Sequence, residues 1–139
     1  MKLAQRLVAV TLLSALSAFA SAEIAVVVHP SNKDAIDAKE VERIFLGKSK
    51  SFPGGAQALP INQSEGGAVR GAFDSGLLGK SASQMKAYWS KLVFTGKGTP
   101  PQEVPGDAEV KALIGSNPST IGYIDAGSVD ASVKVVHKF

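Results

Sequence analysis

The sequence contains no cysteine among its 139 residues. This absence excludes disulfide bonds, thiolate metal sites and cysteine nucleophiles. It also excludes a lipid-modified N-terminal cysteine, so we expect no membrane insertion once the leader described below has been cleaved. Histidine is scarce as well: His29 and His137 are the only two, both lie at predicted strand ends, and neither belongs to a metal-ligand spacing. We therefore predict no metal and no cofactor.

The sequence also lacks a catalytic motif and a block of like charge. No nucleophile-elbow sequence surrounds Ser64, so a site built from Ser64, His29 and Asp125 has no support. Glu65 and Asp74 lie across a turn from each other and do not form an obvious acid/base pair. We predict no catalytic residues and a protein that is not an enzyme. Without a polybasic block, we expect no nucleic-acid partner.

Long apolar runs are missing except at the N-terminus. Lys2 and Arg6 precede an apolar run over residues 7–20, and Ala20-Ser21-Ala22 matches a small-x-small cleavage site. This pattern predicts a secretory signal peptide over residues 1–22, leaving one domain over residues 23–139. Removing Lys2 and Arg6 leaves 13 basic against 12 acidic residues, a net charge of +1 instead of +3. An exported chain without disulfides is typical of the bacterial periplasm.

Short apolar runs alternate with helical patterns, which predicts an α/β fold with a small mixed sheet flanked by helices. Strands are expected at residues 24–28, 58–61, 121–124 and 133–137, and the Gly- and Pro-rich segment 95–105 is expected to be a loop. Asp37 and Asp107 are expected to cap helices, and Ser81 with Gln84 forms a capping box. The best-patterned helix carries one apolar stripe, which predicts core packing: Met85, Tyr88, Trp89, Leu92 and Val93.

The stretch 59–73 is the main candidate site. It begins as a strand, turns through polar and glycine residues, and becomes a helix whose predicted inward face is Val69, Phe73 and Leu77. Free amides at a helix N-terminus, together with the helix dipole, favour an anion. The alternative is a structural turn, since Gly-Gly after a strand commonly supplies positive φ. The predicted ligand-binding residues are Gln63, Ser64, Glu65, Gly66, Gly67, Ala68 and Arg70.

Three motifs in this order carry a resemblance to a known family. They are Ile44-Phe45-Leu46-Gly47-Lys48, then Tyr88-Trp89 with Phe94-Thr95-Gly96-Lys97-Gly98, and then Asn117-Pro118-Ser119-Thr120-Ile121-Gly122-Tyr123. Together they resemble the phosphate-binding periplasmic proteins of ABC transporters, which have the type 2 periplasmic-binding-protein fold. The resemblance implies a small oxyanion such as phosphate as ligand and an ABC permease as partner.

The chain departs from this family in two respects. Family members have two lobes, whereas this chain resembles the second lobe plus the strand that leads into it. The family's phosphate loop reads Arg-Ser-Asp-Gly-Ser-Gly-Thr, and here Ser64 and Gly66 match while Gln63, Gly67 and Val69 differ. The resemblance thus implies a single-lobe type 2 periplasmic-binding-protein-like domain with an altered loop.

Two functions therefore stay open. The first is a solute-binding-type protein that binds a small oxyanion. The second is a protein-interaction module, or a homodimer formed by self-association, that keeps the lobe but has lost ligand binding. Convergence of Arg70 and the 64–67 amides on one pocket would favour the first, and an Arg70 held by an internal carboxylate would favour the second.

Overall fold

The computed structural model describes residues 23–139, and the predicted signal peptide lies outside this range. In chain order the strands are β1 Ile24–Val28, β2 Leu59–Gln63, β3 Gln102–Val104, β4 Thr120–Asp125 and β5 Lys134–Lys138. The helices are α1 Ala38–Phe45, α2 Ala68–Gly76, α3 Ala82–Phe94 and α4 Asp107–Ser116, and a 3₁₀ turn spans Ala126–Ser128.

The five strands form one mixed sheet in the order β3-β2-β4-β1-β5. Strand β2 runs parallel to β3 and β4, whereas β1 runs antiparallel to β4 and β5. All five residues of β1 are fully buried, which explains why this strand is a continuous apolar run rather than an alternating one. The fold class predicted from the sequence, a small mixed sheet flanked by helices, is confirmed.

Apolar side chains cover both faces of the sheet. On one face, Phe45 of α1 and Phe73 of α2 pack on Tyr123 of β4, and the Phe73 and Tyr123 rings are stacked with centroids 3.8 Å apart. On the other face, Val110 and Ile114 of α4 belong to the second apolar cluster. The two helix layers therefore fix the sheet between them, and α2 is anchored by Phe73 directly behind the candidate turn.

Local capping signals are confirmed at two helices. Asp37 Oδ1 accepts a hydrogen bond from the backbone N of Glu40 at 2.8 Å. At α3, Ser81 and Gln84 form the reciprocal capping box, with each side chain bound to the other residue's backbone N. Each of these caps joins residues three positions apart, so the local sequence is enough to predict it.

Two predictions about residues 95–107 are wrong. The segment expected as a loop contains β3, whose three residues pair with β2. A strand of three residues is too short for an alternating pattern to be recognised in the sequence. Asp107 does not cap α4, because Gly106 is the N-cap and Asp107 is the first helical residue. The Asp107 carboxylate instead accepts hydrogen bonds from three residues distant in sequence: Gln63, Asp125 and Ser128.

The apolar stripe of α3 also needs a correction. Met85 and Trp89 are buried, and Tyr88 and Leu92 pack partly against the core, but Val93 is 52% exposed. At 100° per residue, Val93 lies about 80° around the helix from Met85, at the last turn of α3. It therefore faces away from the core, and its neighbour Phe94 is 93% exposed.

Candidate anion-binding site

The candidate turn joins the carboxyl end of β2 to the N-terminus of α2. The backbone N of Ser64 donates to Val104 O at 2.9 Å, which holds the start of the turn against β3. Gly66 has φ of +87°, the left-handed conformation that favours glycine. Of the pair Gly66-Gly67, Gly66 is therefore required by the turn itself. Gly67 is the extended N-cap, and α2 begins at Ala68.

The turn presents backbone amides to solvent. Within residues 23–139, the amides of Glu65, Gly66 and Ala68 have no hydrogen-bond acceptor, and that of Gly67 makes a long contact of 3.4 Å to Ser64 O. Residues 64–68 are all exposed. The first turn of α2 contains no acidic residue to neutralise the positive end of its dipole. These amides are available to an anion.

Gln63 is buried rather than part of the exposed turn. Its side-chain Nε2 donates to Asp107 Oδ1 at 2.7 Å and to Tyr123 O at 2.9 Å. Both hydrogens of the side-chain amide are thus used inside the protein. Gln63 therefore fastens β2 to β4 and α4, and it fixes the position from which the turn departs.

Arg70 is also buried, with 8% of its surface exposed. Its Nη1 donates to Gln63 O at 3.1 Å and to Glu103 Oε1 at 2.5 Å, and its Nε lies 3.5 Å from Asp74 Oδ2 without the geometry of a hydrogen bond. Burial opposes the charge of Arg70, but the hydrogen bond to Glu103 and the nearby carboxylates outweigh it and raise the pKa of Arg70. The guanidinium is therefore charged and held by internal carboxylates.

Asp74 is the buried acid of this cluster. Burial raises the pKa of Asp74 above its ordinary value, the charge of Arg70 opposes that rise, and the charge of Glu65 adds to it. When Asp74 and Glu103 are both ionised, two negative charges lie beside one guanidinium. Arg70 is therefore already neutralised, and the exposed amides are the principal groups that can attract an anion.

Two cavities meet at the turn. The first, which we call the turn cavity, has a volume of about 160 Å³ and lies along α2, lined by Glu65, Gly66, Gly67, Arg70, Gly71, Asp74 and Ala82. The second, which we call the α3 groove, has a volume of about 470 Å³ and lies between α3 and β3. Glu65 and Arg70 line both. The turn and Arg70 thus converge on one cavity, although Arg70 is also held by carboxylates.

No protein-family model matches the sequence, and no curated protein sequence matches it. Solved structures do match. An ABC-type phosphate transport receptor from Vibrio cholerae has 21% identity and a TM-score of 0.65 over 84% of this chain and 46% of its own. A putative phosphate ABC transporter substrate-binding protein from Clostridium perfringens, solved with bound phosphate, has 24% identity and a TM-score of 0.64 over 83% of this chain and 45% of its own. PstS from Borrelia burgdorferi has 18% identity and a TM-score of 0.58 over 83% of this chain and 47% of its own.

These matches define the fold as one lobe of a type 2 periplasmic-binding protein. More particularly, the resemblance to phosphate ABC transporter substrate-binding proteins is confirmed in the fold, and the chain spans less than half the length of these matching structures. The first two of these matching proteins are described as a transport receptor and a substrate-binding protein.

Two further features are absent from residues 23–139. No helix in that range is long and apolar enough to cross a membrane. The same range contains no group of three or more histidines and carboxylates placed to hold a metal ion.

Proposed function

We propose that the protein is a periplasmic solute-binding-type module that binds phosphate or a similar small oxyanion at the N-terminus of α2. The observation that carries the proposal is the set of exposed, unpaired amides at Glu65, Gly66 and Ala68. An oxyanion there gains charge-assisted hydrogen bonds and a favourable interaction with the helix dipole. The likeness to phosphate-binding transport proteins supports the choice of oxyanion.

Each predicted site residue has a place in this proposal. The amides from Glu65 to Ala68 are the donors. The Ser64 hydroxyl donates to Val104 O at 3.3 Å, and on rotation it donates to an anion at the entrance of the turn instead. Gln63 and Arg70 are positioning residues, because their polar groups bind the protein itself. Their contacts hold β2, β3 and α2 in the arrangement that presents the amides.

The carboxylates around the turn favour a protonated oxyanion. Glu65 and Asp74 line the turn cavity, and an ionised carboxylate repels a bare anion but accepts a hydrogen bond from an acidic O–H group. Hydrogen phosphate carries such a group at neutral pH, whereas sulfate does not. We therefore expect phosphate to bind more tightly than sulfate. A site on an open face is screened by solvent, so we expect weak binding overall.

Substitution of Ala68 by proline tests the proposal directly. Ala68 is the first residue of α2, where proline is well tolerated, and Gly67 has φ of −74° and ψ of 148°, which suit a residue before proline. The change removes one donor while leaving the helix intact. We expect phosphate affinity, measured by calorimetry at low salt, to fall about tenfold.

The matched control is Ala38→Pro at the first position of α1, which also follows an extended N-cap. This variant has the same chemical change away from the candidate site and is expected to bind phosphate normally. Equal binding by wild type and Ala68→Pro would place any anion elsewhere. A complete lack of binding up to millimolar phosphate and sulfate would disprove the solute-binding proposal.

The protein-interaction alternative keeps one supporting observation, the ion pairs that hold Arg70 to Glu103 and Asp74. The fold comparisons favour solute binding, because the matching proteins are substrate-binding components of transporters. An ABC permease is the partner proposed from that likeness. A protein that binds no oxyanion and forms a dimer in analytical ultracentrifugation would support the alternative instead.

A further inference from the structure

The α3 groove is an apolar site beside the candidate turn. Its walls are α3 on one side and the segment leading into β3 on the other, and its apolar lining consists of Met85, Trp89, Val93, Phe94, Pro100 and Pro101. A volume of about 470 Å³ lies within the range of about 300–1,000 Å³ typical of small-molecule sites. Val93 and Phe94, two of the three exposed large hydrophobic residues in 23–139, belong to this groove.

The groove lies next to the proposed anion site. Glu65 and Arg70 line both the groove and the turn cavity. A substituent on an oxyanion bound to the turn amides would therefore have an apolar surface within reach. Residues 64–68 are exposed, so a substituent on the oxyanion can extend away from the turn on that side.

One buried donor at the groove has no hydrogen-bond acceptor among the described residues. This donor is Trp89 Nε1, and Trp89 is 7% exposed and lines the groove. Arg70 also lines the groove, but its Nε is held in the ion pair with Asp74. Leaving a buried donor unpaired costs free energy, so a ligand oxygen that displaces a neighbouring side chain and reaches Trp89 Nε1 would bind favourably.

We propose that the preferred ligand is an organic oxyanion, a phosphonate or phosphate monoester whose apolar group occupies the α3 groove. This inference rests on the proposed function, since the oxyanion head binds at the N-terminus of α2. The charged side chains at the groove balance, with Lys86 and Arg70 against Glu65 and Glu103, so the groove itself suits a neutral apolar body. Burial of that body supplies affinity that the exposed oxyanion head lacks.

The experiment compares inorganic phosphate, methylphosphonate, phenylphosphonate and benzyl alcohol as ligands of the purified protein. Trp89 is the only tryptophan of the chain, so its fluorescence reports on the groove without labelling. We expect phenylphosphonate to bind at least about tenfold more tightly than phosphate or methylphosphonate, because it buries an aromatic ring. We also expect it to change Trp89 fluorescence, and benzyl alcohol to bind far more weakly because it has no oxyanion head.

Phe94→Ala tests the groove, since this exposed side chain is not needed for the core. The matched control is Leu59→Ala, which changes an exposed apolar residue outside the α3 groove. Phe94→Ala should remove most of the preference for phenylphosphonate while leaving phosphate affinity unchanged, and Leu59→Ala should retain that preference.

The outcomes separate this inference from the proposed function. Equal affinity for phosphate and phenylphosphonate, or no effect of Phe94→Ala, would overturn the inference. The anion site would still be supported in that case if phosphate binding were lost in Ala68→Pro. Equally tight binding of benzyl alcohol would also overturn it, because the groove would then act without the oxyanion. A dimer that dissociates in Phe94→Ala would show that a second copy occupies the groove and would exclude the proposed ligand.

Discussion

The ion-pair cluster around Arg70 determines how the candidate site behaves at the scale of single residues. Arg70 and Asp74 are both buried, and their charges compensate each other inside the protein, while Glu103 is half exposed. Removing one partner of such a pair leaves an uncompensated buried charge, which costs much more than the pair contributes. Arg70 is therefore a poor choice for testing anion binding, because its loss also destabilises the fold.

Arg70→Met is expected to lower the free energy of unfolding by about 3 kcal/mol at pH 7, because it leaves Asp74 buried without its partner. The double variant Arg70→Met/Asp74→Leu should recover most of that loss, since both buried charges are then absent. Urea denaturation measures both values. Lys111→Met is the control: it breaks the more exposed Lys111–Asp130 pair and should change stability by no more than about 1 kcal/mol. Additive losses in the double variant would contradict this account.

The same cluster predicts a pH dependence. A carboxyl group whose pKa is raised by folding binds its proton more tightly in the folded state, so stability falls as pH rises from the ordinary value of 3.8 through the raised pKa of Asp74. Without Arg70 this pKa rises further. The deficit of Arg70→Met should therefore be largest at neutral pH and shrink as pH falls towards 4. A deficit that does not vary with pH would show that lost packing, not the charge of Asp74, is responsible.

Which residue contacts could be predicted depends on their separation in the sequence. The caps at Asp37 and Ser81 join residues three positions apart, and the sequence alone identifies them. Glu103, the partner of Arg70, lies 33 positions away on a strand too short to be recognised. The burial of Arg70 and its pairing with Glu103 therefore depend on tertiary contacts that no local pattern contains.

At the scale of elements, the close contact between β4 and α4 depends on a residue without a side chain. A Cβ added at Gly122 would lie 2.7 Å from Val110 Cγ1, closer than atoms can pack without displacement. The sheet order similarly depends on pairing between distant segments. Alternating strands and helices predict the layers of the fold, but the position of β1 between β4 and β5 follows only from long-range pairing.

Gly122→Ala is expected to destabilise the protein by about 1–3 kcal/mol, because α4 must move away from the sheet. Gly71→Ala provides the contrast: this residue lies within α2, and an added Cβ meets no atom within 4 Å. Alanine there should stabilise the protein by about 0.5–1 kcal/mol through the lower entropy of the unfolded chain. Thermal denaturation of both variants checks the opposite signs, and a stabilising Gly122→Ala would show that α4 is loosely packed.

At the scale of the whole molecule, the two ends of the described chain close the sheet together. Strand β1 pairs with β4 and β5, and Ile24 and Phe139 exchange backbone hydrogen bonds of 2.9 and 3.1 Å. One interior strand of the sheet, β1, thus comes from the start of the domain, and one of its two edge strands, β5, comes from the end. We therefore expect residues 23–139 to unfold in a single cooperative transition rather than in separate parts.

A chain shortened after Val133 should test this closure. Loss of β5 leaves β1, a run of five fully buried apolar residues, as an unprotected edge strand. Such an edge is a template for pairing between molecules, so we expect aggregation or loss of the cooperative transition. Light scattering measures the aggregation, and circular dichroism measures the unfolding transition. Phe139→Ala is the control, because it keeps the β5 backbone and removes a ring that packs beside Gly76; we expect it to stay soluble and fold cooperatively. If the shortened chain stayed monomeric with an unchanged unfolding midpoint, β5 would contribute little, and the stability of the lobe would come from β1, β4 and the helices alone.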